Sequence, residues 1–436
     1  MLDARRIASA DPLALAAILA LAGISTAFAQ DKQAAVPSSP TDRNLPTVST
    51  TLPMPEQKPQ GFSFDDGGGN YHVDDFTWTF WGYSERIFNT GPGKDYWRRV
   101  RQGSEIDLPR VTTNLRPAIM YEVDLTDSAF LRNGLGNQRG LGRRNFENLY
   151  IALQDVDDPA KLRGLIGENT HIFSREDNLP SGNPPTINRS LILEEHNGAG
   201  IFGAQFGIEY GMALSPQYSI AVSALDNRGS LNTDHPQYSV GKSFSARLSA
   251  TPIDEKEKGQ KLTWGVAVDH TGNFHDRTFP LLTATLQSQV GGVQVSGNKL
   301  SAEADVAYTS PALFGRPATI EAEGIYSRFG TSRTDVAGGY VMLQHQVFDS
   351  GPSGDLDLFA RYDAVALKTA SVSSQVVQQA TRLGMNYNLP YAQRRASLHL
   401  EYAHNRASGP TEIVQSRKSD EFIAELRFSL QPYIRH

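Results

Sequence analysis

Two short stretches carry side chains of the kind that move protons. Glu194-Glu195-His196 and His270-Thr271-Gly272-Asn273-Phe274-His275-Asp276 bring carboxylates and imidazoles together. A hydrolase would need such a histidine paired with Asp or Ser, beside a nucleophile at a fixed position. Neither stretch shows a nucleophile arrangement, and both read as solvated loop or strand end. Gly291-Gly292 and Gly338-Gly339 read as turns or strand kinks, because no helix follows to offer its N-terminus to a phosphate. The chain has no cysteine, which removes disulfides, thiolate metal sites and thiol catalysis. No metal-ligand spacing or nucleotide motif calls for a cofactor. A net charge of −6 gives no case for nucleic acid as a partner.

The remaining chemistry is that of arginine. Arg86, Arg98, Arg99, Arg101, Arg110, Arg116, Arg132, Arg139, Arg143 and Arg144 fall in one stretch. A guanidinium holds phosphate or carboxylate through paired, charge-assisted hydrogen bonds. Acids gather later in the chain, among them Glu303 and Asp305.

The elements that must position these residues are strands. In residues 111–125, Val111, Leu115, Pro117, Ile119, Tyr121, Val123 and Leu125 alternate with Thr112, Asn114, Arg116, Ala118, Met120, Glu122 and Asp124. Side chains alternate across a strand, so this is one long strand with an apolar and a polar face. A strand crossing a bilayer needs about 9–11 residues, and this one is long enough. The pattern recurs at 238–250, where Lys242 breaks the apolar face, and at 262–269, 382–389 and 422–430. The polar faces carry Ser, Thr, Asn, Gly and charges, which a water-filled lumen tolerates and a packed sandwich core does not.

Targeting agrees with this. Arg5 and Arg6, the apolar run 13–24 and Ala27-Phe28-Ala29 before Gln30 have the order of a secretory signal peptide over 1–29, cleaved between Ala29 and Gln30. Residues 30–70, rich in proline and then glycine, read as a flexible periplasmic linker. Strand signals run from Tyr71 to His436, enough for a barrel of about 16 strands. Aromatic residues at Phe76, Trp78, Phe80, Trp81 and Tyr83 suit a membrane-interface girdle. A strand over Lys161–Glu168 leads into 169–189, which has no clear period and is long for a loop. In a wide barrel such a loop can fold inward and narrow the lumen.

Short phrases in this order resemble the phosphate-selective porin O and P family of Gram-negative outer membranes. They include Arg98-Arg99-Val100-Arg101, Tyr121-Glu122-Val123-Asp124, Glu147-Asn148-Leu149-Tyr150-Ile151-Ala152-Leu153, Gly164-Leu165-Ile166-Gly167-Glu168 and Asn188-Arg189-Ser190-Leu191. Phe244-Ser245-Ala246-Arg247-Leu248, Leu356-Asp357-Leu358-Phe359-Ala360-Arg361-Tyr362 and Ala424-Glu425-Leu426-Arg427-Phe428 continue the series. The resemblance implies an all-β, 16-stranded transmembrane antiparallel barrel that forms homotrimers, with its third outer loop folded inward as a constriction. It also implies a basic route for phosphate or other anions. The family's basic strand falls on Arg98, Arg99 and Arg101, its inward loop on Arg175 to Arg189, and Arg116 joins them on the polar face of its strand.

The chain also departs from that pattern. The loop has Arg175 and Arg189 but no lysine, and Gln431–His436 extends beyond the C-terminal aromatic. The polar faces carry Arg116, Arg247, Arg361, Arg382 and Arg427 against Glu122, Asp269, Glu303, Asp305, Asp357, Asp363, Glu401 and Glu425. The expectation is therefore a basic side, formed by Arg98, Arg99, Arg101, Arg175 and Arg189, facing an acidic wall that includes Glu303 and Asp305. Such a field orients polar solutes and selects weakly among ions. The function expected is passive diffusion of small hydrophilic solutes and ions in a Gram-negative outer membrane, among lipid and lipopolysaccharide. A barrel hydrolase and a closed structural or adhesive barrel are the competing readings.

Overall fold

The computed structural model describes residues 61–65, 68–89, 96–125, 146–158, 161–170, 172–179, 185–199, 204–226, 241–285, 289–311, 315–349, 354–371, 374–389, 396–414 and 418–429. The signal peptide, its cleavage site at Ala29 and Gln30, and residues 30–60 lie outside them. So do Arg132, Arg139, Arg143, Arg144 and the C-terminal extension.

A short hairpin comes first, β1 (Gly61–Asp65) and β2 (Gly68–Val73). The sequence reads these residues as the end of the linker; the structure pairs them strand to strand. Then come β3 (Phe76–Asn89), β4 (Tyr96–Asp107), β5 (Leu115–Asp124), β6 (Phe146–Asp155), β7 (Leu162–Thr170), β8 (Ala204–Ser215), β9 (Tyr218–Asp226) and β10 (Lys242–Glu255). They are followed by β11 (Gln260–Leu282), β12 (Gln289–Ser310), β13 (Ala318–Phe329), β14 (Thr334–Asp349), β15 (Asp355–Lys368), β16 (Val376–Asn388), β17 (Ala396–Ser408) and β18 (Lys418–Ser429). A single α-helix among the described residues, α1 (Leu191–Gly198), lies between β7 and β8.

Each strand from β3 onward pairs antiparallel with the next, and β18 returns to β3 from Ser429↔Tyr83 to Ile423↔Asn89. The result is a closed antiparallel barrel of 16 strands. Closure leaves no unpaired edge, which a bilayer requires. β2 lies on the same side of β3 as β18, pairing with the other half of that strand.

Alternation sorts the wall into two faces. On β5 the even residues Ala118, Met120 and Glu122 are buried inside, while Ile119, Tyr121 and Val123 face outward. β5 begins at Leu115 rather than Val111, because Thr112 Oγ1 accepts the N–H groups of Asn114 and Leu115 and turns the chain there. Outside, Ile151, Ile166, Ile208, Phe244, Val268 and Leu383 are each more than half exposed in the isolated chain, an apolar band that lipid would cover. Connections at one end are short, such as Pro216-Gln217 and the turn at Gly259. The opposite end carries 125–145, 171–203 and 227–241, the longer connections expected of the outer surface.

Candidate functional site

The arginine strip of β4 depends on a β-bulge. Glu85 pairs with Arg99, but the next pair is Arg86 with Trp97, which leaves Arg98 as the extra residue. Simple alternation would send Arg98 and Arg99 to opposite faces; the bulge turns both inward. Arg98 donates to the Ile187 carbonyl and lies 3.4 Å from Glu425 and 3.7 Å from Glu85. Arg99 is 3.2 Å from Glu85. Arg101 reaches Glu122 and Asp124, both at 3.1 Å, and Arg116 reaches Asp107 at 3.1 Å. Each of these arginines is held by a carboxylate.

On the other side, β12 sits eight strands from β4 in the ring of sixteen, and it carries Glu303 and Asp305. These acids have their own base. Arg247 lies 2.8 Å from Glu303 and also pairs with Asp305. The structure corrects one expectation here. Arg175 belongs to the acidic wall, 3.6 Å from Glu321 and 4.0 Å from Asp305, and not to the basic side. Arg189 pairs within its own segment, 3.1 Å from Asp177.

Residues 172–179 and 185–199 lie against the inner faces of β12 to β17. Ser174 Oγ donates to Glu323 at 2.6 Å, and the Glu176 N–H donates to the same carboxylate at 3.0 Å. Arg361 lies 2.7 Å from Glu176 and 3.0 Å from Asp363. Arg382 donates to the Asn188 and Arg189 carbonyls at 2.6 and 3.0 Å and pairs with Glu401 at 2.7 Å. The Ile187 N–H donates to Glu401 at 2.9 Å. Strand side chains thus satisfy the main-chain groups of a segment that has no regular partners of its own.

The loop expected over 169–189 continues through α1, which the sequence analysis did not identify. Its Leu191, Ile192 and Leu193 join Phe279, Val295, Ile325, Phe329, Val336, Val365 and Ala403 in one buried apolar cluster inside the barrel. Gly338 makes room for it, since an added Cβ there would come within 3.0 Å of Ile192 Cδ1. The same cluster takes in the tip of the β11–β12 hairpin. These are the longest strands described, and their register slips at Thr271/Phe274 and Phe274/Arg277. Beyond those bulges the tip meets the far wall. The Ala284 N–H donates to Asn405 at 2.9 Å, the Thr285 N–H to Glu421 at 3.1 Å, and Gly291 bridges Val414.

The acid and histidine cluster of α1 is structural. The His196 ring nitrogens lie 2.6 Å from the Ile192 carbonyl and 2.8 Å from Ser327 Oγ. Since the carbonyl can only accept, Nδ1 donates to it and Nε2 accepts from the serine. His196 and Ser327 have no exposed surface, so this Ser–His pair has no route to a substrate. Burial pushes the imidazole down to about 3. Burial also pushes the Glu195 carboxyl well above the carboxylate range, although it accepts the Leu282 N–H. Burial opposes ionisation of Glu176 too, but the Arg361 charge and hydrogen bonds from Arg361 and Ser190 outweigh it and hold that carboxyl below its usual range. His270 faces outward on β11, and no metal-binding cluster occurs among the described residues.

No family model and no curated protein matches the sequence. Among solved structures the barrel is similar to OmpT, an outer membrane protein of Vibrio cholerae. The loop L8 deletion mutant matches at a TM-score of 0.53 and 11% identity over 82% of this chain and 100% of that one. The trimer form of in-vitro folded OmpT matches at 0.52 and 12% identity over 82% and 100%. An anion-selective porin from Comamonas acidovorans matches at 0.47 and 13% identity over 81% and 99%. The likeness is one of fold: this chain has the 16-stranded barrel architecture of Gram-negative outer-membrane proteins. The narrower resemblance to the phosphate-selective porins rests on the short phrases of the sequence alone.

Proposed function

We propose that the chain is an outer-membrane channel for passive diffusion of small hydrophilic solutes, with weak ion selectivity. The observation that carries this reading is a closed ring of 16 strands whose inward faces bear opposed sets of paired charges. A barrel of about that strand number encloses an aqueous channel, whereas about eight strands fill with side chains. Residues 172–179 and 185–199 form the constriction in this reading. Because Arg98, Arg99, Arg101 and Arg116 are each partnered by carboxylates, the cargo it favours is polar and neutral or zwitterionic, rather than phosphate alone. Residues 1–29 direct export, 30–60 tether the barrel, and three copies assemble as a homotrimer in lipid and lipopolysaccharide.

Liposome swelling tests the channel. Entry of small sugars is expected; a folded protein that excludes both sugars and ions would favour the closed-barrel reading, which draws support from the inward packing of 172–199 and the β11–β12 tip. Planar-bilayer recording tests selectivity. The double substitution Arg98→Ala, Arg99→Ala should move the reversal potential in a KCl gradient towards cation preference. Saturable block by phosphate with strong anion selectivity would replace the weakly selective reading with a dedicated anion channel. The buried Ser327–His196 pair supports the non-enzymatic reading over a hydrolase.

A further inference from the structure

The outward face of β17 and β18 is graded along its length. From the inner end towards the outer end the cross-strand pairs are Ala396↔Phe428, Leu398↔Leu426, Leu400↔Ala424, Tyr402↔Phe422, His404↔Asp420 and Arg406↔Lys418. Aliphatic pairs suit hydrocarbon, and the aromatic pair suits the membrane interface. The next two pairs therefore stand at headgroup level, next to the outer connection 409–417.

The last pair is anomalous. Like charges directly opposite on an antiparallel pair repel, with Cβ atoms roughly 5 Å apart. Asp420 is the nearest acid in the ladder, and it is already engaged: Tyr402 Oη donates to it at 2.6 Å and His404 Nδ1 lies 2.7 Å away. Neither Arg406 nor Lys418 has an ion-pair partner among the described residues. Beside Arg406 on β16 stands Gln379, a neutral donor and acceptor, with Thr381 next to His404. Among the described residues facing outward on these two strands, the patch is two cations without a counter-ion above one histidine–carboxylate pair, with Glu412 in the adjoining connection.

We propose that Arg406 and Lys418 form a binding site for the phosphate group of a phosphorylated glycolipid in the outer leaflet. The arginine fork takes two phosphate oxygens and the lysine supplies a point charge, which turns the repulsion into a shared attraction. Tyr402 and Phe422 face the upper acyl region and set the depth of the headgroup. The site lies on the outer surface of the barrel. It rests on the outer-membrane placement, not on solute passage, so a failure of channel activity leaves it standing.

The test uses the full chain, folded in detergent, with bisphosphorylated lipid A, dephosphorylated lipid A and inorganic phosphate as probes. Binding is read by native mass spectrometry and by the temperature at which the barrel loses its compact gel mobility. Bisphosphorylated lipid A should bind about tenfold or more tightly than the dephosphorylated form, a difference of one good charge-assisted contact. Arg406→Gln with Lys418→Gln should abolish that preference, yet leave the lipid-free barrel at least as heat-resistant, because the repulsion is gone. Lys258→Gln at the opposite end should change neither. Equal binding of the two lipids, or an unchanged preference in the double variant, would overturn the site. Inorganic phosphate binding as tightly as lipid A would overturn the lipid assignment in favour of a free-anion site.

Discussion

The inward arginines of β4 and β5 keep 11–14% of their side-chain surface exposed, whereas Arg361 and Arg382 on β15 and β16 keep none. Both sets are paired with carboxylates at similar distances. The difference is the second layer. Residues 172–179 and 185–199 cover the β12–β17 wall, and Arg361 and Arg382 bond to that layer as well as to strand carboxylates. Of the β4–β5 arginines only Arg98 reaches that layer, at the Ile187 carbonyl; Arg99, Arg101 and Arg116 meet acids on their own or neighbouring strands and stay open to water. Similar chemistry therefore clamps a loop on one wall and lines an accessible surface on the other.

Substitutions should separate the two walls. Arg382→Ala is expected to have the largest effect. It removes the arginine from Glu401 in a buried site and leaves Asp363 to Arg361 alone, a loss of about 3–5 kcal/mol for a broken buried pair. It also frees the Asn188 and Arg189 carbonyls, so hydrogen exchange across 185–199 should accelerate. Unchanged exchange there would deny that Arg382 holds the segment.

Gly291→Ala follows. A Cβ at this position would overlap the Ile413 carbonyl, so the bridge to Val414 must open. The expected result is a less heat-resistant barrel, by about 1–3 kcal/mol, and a higher or noisier single-channel conductance. A silent variant would mean the tip does not obstruct the lumen.

Acid and alkali should loosen α1 for different reasons. The imidazole of His196 is lowered from 6.5 to about 3, so its contribution is complete above 6.5 and declines as pH falls towards 3. The carboxyl of Glu195 is raised well above 4.5, so its contribution is complete below 4.5 and declines as pH rises. Between these values the two slopes oppose each other. Exchange protection of α1 should therefore be flat there and decrease on both sides, by up to about 1.4 kcal/mol per pH unit for one proton. Glu195→Gln should remove the alkaline limb and His196→Asn the acid limb. Arg116→Ala should do least, about 0–1 kcal/mol, since its pair with Asp107 is partly solvated. A cost close to that of Arg382→Ala would erase the distinction between the walls.

Alternation made the barrel legible. The inward positions of Glu122, Asp269, Glu303, Asp305, Arg361, Arg382 and Arg427 all follow from a period of two, as do the lipid-facing residues of β10, β11 and β16. What alternation cannot show is where its own phase breaks. The bulge that turns Arg98 inward adds one residue and leaves no mark in composition. α1 is only eight residues long and follows closely on a stretch without clear period. Its apolar face is recognisable only once Gly338 and Phe279 are known to face it. Resemblance places Arg175 in a basic loop and so on the basic side, but chain position within a loop does not specify which wall that part of the loop touches.

The docking of 185–199 also implies an order of assembly. This segment precedes β8 in the chain, yet Ile187 depends on Glu401, and Asn188 and Arg189 depend on Arg382. Such distant partners carry a large loop-closure entropy until the intervening strands have formed. While β3 to β14 are pairing, Ser174 and Glu176 can already meet Glu323 on β13, but the groups of 187–189 lack these partners and remain hydrated. They settle only when β16 and β17 arrive, as β18 prepares to seal against β3. A chain stalled before that step would display 185–199 to protease despite having most of its wall built, so protection of this segment reports completion of the seam.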